Sequence, residues 1–159
     1  MKLINRRMTE KDRITSIAEE MKGEMPIRYW FWGETGTKKT FTARKIAAKF
    51  GVKPYLKTCG KTWDSYSDEK IVLIDDVSYK SMEYLKLYLA LWMDYYDFRG
   101  WTTVSESSEE GQVKNVVPKM IDASKYHLII TSRYSPEAMS MDDDLKEKFA
   151  RIFKVEHFE

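Results

Sequence analysis

The sequence predicts an α/β fold in which a mostly parallel central sheet lies between layers of helices. Two short runs, Ile71–Ile74 and His127–Ile130, are largely apolar, which is typical of strands covered on both faces of a parallel sheet. A third run, Ile27–Trp32, leads through a glycine-containing turn into a helical segment, Lys39–Phe50. Strands that alternate with helices in this way favour βαβ units and therefore parallel pairing.

The remaining elements follow from apolar periodicity and from end signals. Thr9 and Asp12 have capping-box spacing, and one apolar stripe follows them until Gly23 and Pro26, so an N-terminal helix is expected. This apolar stripe can pack either on its own domain or on a neighbouring subunit. The further predicted elements are a strand at 52–57, a helix at 81–96, a hairpin from 101–104 and 113–117 around an acidic loop at 105–111, a helix from 142 and a strand at 152–155.

The turn after the first strand, Gly33–Thr40, has the layout of a nucleotide-phosphate loop. It reads Gly-Glu-Thr-Gly-Thr-Lys-Lys-Thr. Glycines let backbone N–H groups point inward, a lysine reaches the outer phosphates, a hydroxyl holds Mg²⁺, and the following helix directs its positive end at the anion. The candidate nucleotide-binding residues are therefore Gly33, Glu34, Thr35, Gly36, Thr37, Lys38, Lys39 and Thr40, with Thr40 as a metal ligand.

One position departs from the phosphate-loop pattern. The pattern has glycine immediately before the lysine, where this chain has Lys38. Either Lys38 adopts a backbone geometry that glycine takes at lower cost, or the turn differs. A polar turn before a basic helix is the alternative interpretation of the whole segment.

Polar residues follow two further apolar strands. Asp75 and Asp76 come directly after Ile74, and Thr131-Ser132-Arg133 follow Ile130. Carboxyl ends of parallel strands meet at one sheet edge, where α/β proteins bind ligands. We therefore predict one site with Asp75 as a magnesium ligand and Asp76 as the base that takes a proton from the attacking water. Two solvated aspartates in a turn are the simpler alternative.

Composition excludes several other classes of protein. The chain has 159 residues, a net charge of +2, one cysteine and two histidines, so neither an intramolecular disulfide nor a structural zinc site is expected. Residues 38–61 contain eight basic and no acidic side chains, a pattern that fits a nucleic-acid contact and a solvated helix face equally well. No apolar run approaches membrane-spanning length, so no membrane partner is expected. We divide the chain into an N-terminal helix, 1–25, as a candidate oligomerisation element, and a nucleotide-binding domain, 26–159.

From Ile27 to the C-terminus, the order of motifs resembles a known helicase family. Lys57–Tyr66 reads K-T-C-G-K-T-W-D-S-Y, which is similar to a K-x-x-G-K-W-W-D-G-Y stretch, and Ile129–Ser132 is similar to an I-T-S-N motif. These motifs, with the loop and Asp75-Asp76, resemble the superfamily 3 helicase domain of replication initiator (Rep) proteins of small circular single-stranded DNA viruses, especially the circovirus-like members. The C-terminal segments 135–137 and 149–152 are similar to that family's tail.

The resemblance implies a fold, an activity and partners. The fold is a three-layer P-loop NTPase core related to the AAA+ group. The activity is ATP hydrolysis with Mg²⁺, coupled to 3′-to-5′ translocation on single-stranded DNA by a homo-oligomeric ring, typically a hexamer. Lys114 and Lys119 would contact DNA from the hairpin region, and Arg151 would be an arginine acting on a neighbour's nucleotide; surface or packing roles are the alternatives. Family members replicate DNA in the host nucleus; a non-viral relative would be cytoplasmic.

Departures from the family pattern define a second hypothesis. Arg133 stands where the family has asparagine, and arginine cannot accept a hydrogen bond from the attacking water, although it can pair with a γ-phosphate. With Lys38, this favours a degenerate nucleotide-binding or DNA-binding module that hydrolyses little. A phosphotransferase acting on small molecules is a third hypothesis, but the sequence shows neither an acceptor pocket nor a lid. The family's nicking domain is not expected, because no His-apolar-His motif occurs.

Overall fold

The central element is a five-stranded parallel sheet. The computed structural model describes residues 9–24, 26–60, 62–94, 97–108, 111–139 and 141–159. The strand order is β2-β3-β6-β1-β7, and every pairing is parallel. The strands of this sheet are β1 (Arg28–Trp32), β2 (Tyr55–Lys57), β3 (Ile71–Val77), β6 (His127–Ser132) and β7 (Phe153–His157).

Helices cover both faces of the sheet, as the fold prediction required. They are α1 (Glu10–Gly23), α2 (Lys39–Phe50), α3 (Tyr79–Asp94) and α4 (Asp143–Ile152). One core joins the stripes of α1 and α2 to alternate strand residues: Ile17, Ala18, Met21, Ala43, Ile46, Ala47, Tyr29, Phe31, Ile71, Leu73 and Ile129. The other core joins α3 and α4 to the intervening strand residues: Leu89, Trp92, Phe149, Trp30, Val72, Ile74, Leu128 and Ile130. This alternation in β1, β3 and β6 makes a three-layer α/β structure of the P-loop NTPase type.

The N-terminal helix packs on its own domain. Thr9 is its N-cap and accepts a hydrogen bond from the Asp12 N–H at 3.1 Å, as the capping spacing predicted. Ile17, Ala18 and Met21 are buried against α2 and the sheet. Its apolar stripe is therefore used within the chain.

A long hairpin stands apart from the central sheet. Its strands, β4 (Asp97–Ser108) and β5 (Gly111–Asp122), pair with each other along their whole length. The prediction of a hairpin is confirmed, but the acidic loop expected at 105–111 is wrong, because Ser105 pairs with Lys114 and Ser108 with Gly111. Cross-strand pairing overrides the loop-like composition. Residues 109–110 of that loop lie outside the described residues.

A buried tryptophan attaches the hairpin to the domain. The backbone N–H of Trp63 donates to the Trp101 carbonyl at 2.6 Å. The Trp63 ring is fully buried. Gly100 lies directly against this ring: a Cβ atom there would be 2.6 Å from Trp63 Cδ1 and 3.0 Å from Ile121 Cγ1. A glycine is thus needed at position 100 for close approach.

None of the described helices has the length and hydropathy that crossing a membrane requires.

Gly100→Ala should destabilise the protein by about 1–3 kcal/mol, because the added methyl overpacks a rigid aromatic contact. Urea unfolding followed by tryptophan fluorescence measures this. Gly23→Ala is the matched control, since nothing lies within 4 Å of a Cβ there and the residue is helical. It should change the free energy of unfolding by less than about 0.5 kcal/mol, because Gly23 is the last residue of α1. Equal stabilities of Gly100→Ala and wild type would contradict the close-approach argument.

Candidate nucleotide site

A β-bulge at the carboxyl end of β3 sets the position of both aspartates. Ile74 pairs with Ile130, but Val77 pairs with Ser132, so Asp75 and Asp76 together oppose Thr131. Asp76 has φ 55°, in the left-handed region. Bulges re-aim side chains at strand ends and are frequent beside functional sites. Both carboxylates are exposed here, whereas the four residues before them are buried.

One carboxylate oxygen of Asp75 joins three elements of the fold. The Thr40 hydroxyl at the start of α2 and the Thr131 hydroxyl on β6 both donate to Asp75 Oδ1. The Thr131 Oγ1 in turn accepts a hydrogen bond from the Asp76 N–H at 2.8 Å. The three polar strand ends predicted to converge therefore meet through Asp75, with Thr131 bridging the two aspartates.

The loop is wrapped around its own lysine. Lys39 Nζ donates to the carbonyls of Gly33 at 2.6 Å and Glu34 at 2.8 Å, and lies 3.3 Å from Thr37 Oγ1. Burial lowers the pKa of Lys39, and Arg133 lowers it further, while Asp76 and Asp75 act in the opposite direction. The ammonium therefore lies within the loop, where neutral carbonyls hold it.

Lys38 takes the backbone geometry normally reserved for glycine. Its φ is 65° and its ψ 29°, the left-handed region, and it is the N-cap of α2 without a side-chain cap. Of the two alternatives, the loop keeps its shape and Lys38 bears the strain. The left-handed conformation costs a side-chain-bearing residue about 1–2 kcal/mol.

A cavity of about 400 Å³, here called the strand-end cavity, lies between the loop and the ends of β3 and β6. It collects most of the predicted site residues, and its lining is Thr35, Gly36, Lys38, Lys39, Thr40, Phe41, Asp75, Asp76, Thr131 and Arg133. Arg133 Nη2 lies 4.0 Å from the Glu34 carboxylate, so this arginine also reaches the loop. Three cations and two carboxylates in one cavity suit a polyanion that arrives with a divalent metal ion.

The oxygen donors fit Mg²⁺. This ion takes oxygen ligands and usually binds through one or two carboxylates together with substrate phosphates. Thr40 Oγ1 and Asp75 Oδ1 are already in contact. Within the described part of the chain, no group of three or more His, Cys, Asp or Glu suited to a metal occurs.

Three predicted residues lie away from this cavity. Arg151 precedes β7, whose first residue pairs with Arg28 at the start of β1, so it lies at the opposite sheet edge from the loop. Lys114 is exposed near the end of the hairpin. Lys119 donates to the Tyr66 carbonyl, and its ammonium lies 5.4 Å from the Tyr66 ring centroid. Lys119 therefore holds the base of the hairpin in this structure.

The sequence analysis missed one residue of the cavity, Phe41, and assigned no role to another, Thr131. Thr131 belongs to the polar group that follows Ile130, and only the bulge shows that its hydroxyl serves both aspartates. Phe41 is 49% exposed in the first turn of α2, where an apolar side chain gives no sequence signal for a nucleotide site.

The stretch Lys57–Tyr66 begins at the end of β2 and contacts the hairpin on its way to β3. Asp64 accepts from the Thr103 N–H at 2.6 Å and the Thr103 hydroxyl at 3.1 Å, and these bonds lower the pKa of its carboxyl. Lys57 Nζ donates to the carbonyls of Thr58 at 2.7 Å and Gly60 at 2.5 Å. Burial lowers the pKa of Lys57 to about 8. The aspartate and the lysine of this motif thus hold the connecting loop and hairpin in place.

Comparisons with known proteins agree with a nucleotide-binding fold. Residues 29–95, fewer than half of the chain, match the model of a family described as RNA helicase; they run from β1 through the loop, α2 and β3 to the end of α3. The chain is similar in structure to a crystal structure of a DNA replication initiation factor, with a TM-score of 0.50 and 13% identity. That similarity covers 98% of this chain and 48% of the other, so this chain spans about half its length. No curated protein matches the sequence.

Replacing Lys38 should reveal the strain in the loop. Lys38→Gly and Lys38→Ala both remove the ammonium, but only glycine relieves the left-handed backbone, so the glycine variant should be more stable by about 1 kcal/mol. At Lys49, in the last turn of α2, the order should reverse, by less than the roughly 1 kcal/mol of a helix interior. Thermal unfolding of the four variants tests this, and an alanine variant more stable than glycine at position 38 would refute the strained geometry.

Lys57 should make stability rise with pH. Its folded-state pKa of about 8 lies below the ordinary 10.5, so between these values the unfolded chain binds more protons and raising the pH favours folding. From pH 7.5 to 9.5 the free energy of unfolding of wild type should rise relative to Lys57→Met by about 1–2 kcal/mol. Urea unfolding at several pH values measures the difference. A difference independent of pH would show that the amine is not desolvated.

Proposed function

We propose that this chain is an ATP-dependent DNA helicase domain that hydrolyses ATP to translocate on single-stranded DNA, as in rolling-circle replication initiators. The observation that carries the proposal is the Asp75 carboxylate, which accepts hydrogen bonds from both Thr40 and Thr131. A loop hydroxyl and a strand-end carboxylate in contact are the pair that holds Mg²⁺ in P-loop NTPases. The helicase family match over 29–95 contains two of these three residues.

Lys39 is assigned to the β- and γ-phosphates. Its ammonium now donates to two neutral loop carbonyls, and phosphate oxygens would add the attraction of an opposite charge. The eight loop residues from Gly33 to Thr40 would bind the phosphates, and Thr40 and Asp75 would hold the metal. The metal supplies neutralisation of charge on the phosphates.

Asp76 is assigned as the base. Its backbone N–H is fixed by Thr131 while its carboxylate is exposed to the strand-end cavity. A carboxylate in this position takes a proton from the water that attacks the γ-phosphate. Arg133, at the same cavity, would pair with the γ-phosphate oxygens, since arginine binds such oxygens in a bidentate manner.

A ring is part of the proposal, because Arg151 lies at the opposite sheet edge from its own loop. In a homo-oligomeric ring, such as a hexamer, Arg151 of one copy would stabilise charge at the nucleotide of the next. Lys114, exposed near the end of the hairpin, would contact single-stranded DNA, with Lys119 behind it. For a viral protein the compartment would be the host nucleus, and otherwise the cytoplasm.

The second candidate function is nucleotide binding with little hydrolysis. It is favoured by Arg133, which occupies the strand-end cavity beside the loop and cannot orient a water through an accepted hydrogen bond. Lys38 adds another positive charge there. Both charges would favour retention of the triphosphate.

Steady-state ATP hydrolysis with and without single-stranded DNA tests the first function. Wild type should turn over ATP faster with DNA, and Lys39→Ala should lower turnover by at least about 100-fold, because it removes a charge at the developing transition state. Lys49→Ala, at the far end of α2, should behave as wild type.

Binding measurements separate the two candidates. Magnesium-dependent ATP binding without turnover in wild type would select the second function. If Asp75→Asn binds and hydrolyses ATP as wild type does, the assignment of Asp75 as a magnesium ligand is wrong for both candidate functions.

A further inference from the structure

A second cavity, here called the tail cavity, lies on the other side of the phosphate loop. Its volume is about 500 Å³, within the range of ligand pockets. Its lining comes from α1, the loop, α2 and the C-terminal segment: Glu10, Arg13, Gly36, Thr37, Lys38, Thr42, His157, Phe158 and Glu159. Gly36 and Lys38 also line the strand-end cavity. The two cavities therefore meet at the same turn of the loop.

The C-terminal wall of the tail cavity is held in place by β1. The Phe158 N–H donates to the Trp32 carbonyl at 2.7 Å, and the His157 ring stacks on Trp32 at 3.8 Å and 9°. A Cβ atom at Gly33 would lie 2.1 Å from the Phe158 carbonyl oxygen. The backbone of residue 158 thus packs directly on the first glycine of the loop, which fixes the distance between the two.

The α1 wall presents a cation and a carboxylate. The Arg13 guanidinium lies 4.2 Å from the centroid of the Phe158 ring, and its Nη2 is 3.7 Å from the Glu156 carboxylate. Its Nε is buried without a hydrogen-bond partner, a state that costs about 1–3 kcal/mol. Glu10 Oε1 accepts from the Thr42 hydroxyl at 3.2 Å. Glu10 is exposed at this wall of the cavity.

We propose that the tail cavity receives the ribose and base of the nucleotide whose phosphates occupy the strand-end cavity. This rests on the proposed nucleotide site, and it adds the residues that distinguish a nucleotide from a bare triphosphate. A carboxylate such as Glu10 accepts hydrogen bonds from ribose hydroxyls. A guanidinium plane such as Arg13 stacks on nucleobases and donates to their acceptor atoms.

The continuity of the two cavities supports this assignment. A ligand that crosses Gly36, which has φ 86° and no side chain, has phosphates next to Lys39 on one side and a nucleoside next to Arg13 on the other. The helix α1 is then a wall of the nucleotide site. Its apolar stripe fixes it to α2, so Glu10 and Arg13 are held at a constant distance from the loop.

Titration calorimetry with Mg²⁺ and two ligands, ATP and inorganic tripolyphosphate, tests the proposal. Arg13→Ala should weaken ATP binding by about tenfold or more and leave tripolyphosphate binding within about twofold. Lys39→Ala should weaken both ligands, because both place phosphates in the loop. Lys11→Ala, on the same helix but outside the lining of the tail cavity, should change neither.

A second variant, Glu10→Gln, distinguishes the loss of nucleoside contacts from a structural effect of Arg13→Ala. Wild type should prefer ATP over 2′,3′-dideoxy-ATP by about fivefold or more, and Glu10→Gln should reduce that preference without a change in melting temperature.

Two outcomes would overturn the nucleoside assignment while the phosphate site stands. One is an equal loss of affinity for ATP and tripolyphosphate in Arg13→Ala, and the other is no preference for ATP over its dideoxy analogue in wild type. If wild type binds neither ATP nor tripolyphosphate, the proposed nucleotide function itself fails.

Discussion

The site depends on the two hydrogen bonds that Thr40 and Thr131 donate to one oxygen of Asp75. These bonds join α2, β3 and β6 at the sheet edge. They position the loop relative to the strands, because Thr40 directly follows the loop lysine. The bulge in β3 places Asp75 and Asp76 together opposite Thr131, so that the hydroxyl of Thr131 contacts both residues.

Much of the fold could be predicted because the apolar pattern and the end signals of each strand and helix match the burial that it has in the structure. The four residues before Asp75 make both faces of β3 apolar. In the structure, alternate residues of this run are buried in the two different cores. The stripe and cap of α1 likewise determine its ends. The phosphate-loop pattern predicted five of the ten residues that line the strand-end cavity, and the polar strand ends predicted four more.

The parts that could not be predicted depend on contacts between residues distant in sequence. The amino-acid composition around Asp75 and Asp76 does not indicate a bulge. The sequence therefore could not predict that the Thr131 hydroxyl contacts both residues. The polar, acidic composition of 105–111 suggested a loop, whereas residues 105–108 pair with β5 and form a strand. The tail cavity brings together residues 10–13 and 157–159, nearly the whole chain apart, and no periodicity or local motif reports such a meeting.

Charge at the loop gives a physical reason for anion binding. Lys39 is held by neutral carbonyls, and burial lowers the pKa of its amine, so its charged form is less stable there than in water. An anion that replaces these carbonyls raises the pKa again, and by linkage the same free energy favours anion binding. Lys38 and Arg133 add to this preference on two sides of the cavity. The two departures from the usual loop and strand-end residues therefore add positive charge to the strand-end cavity and strengthen its attraction for an anion.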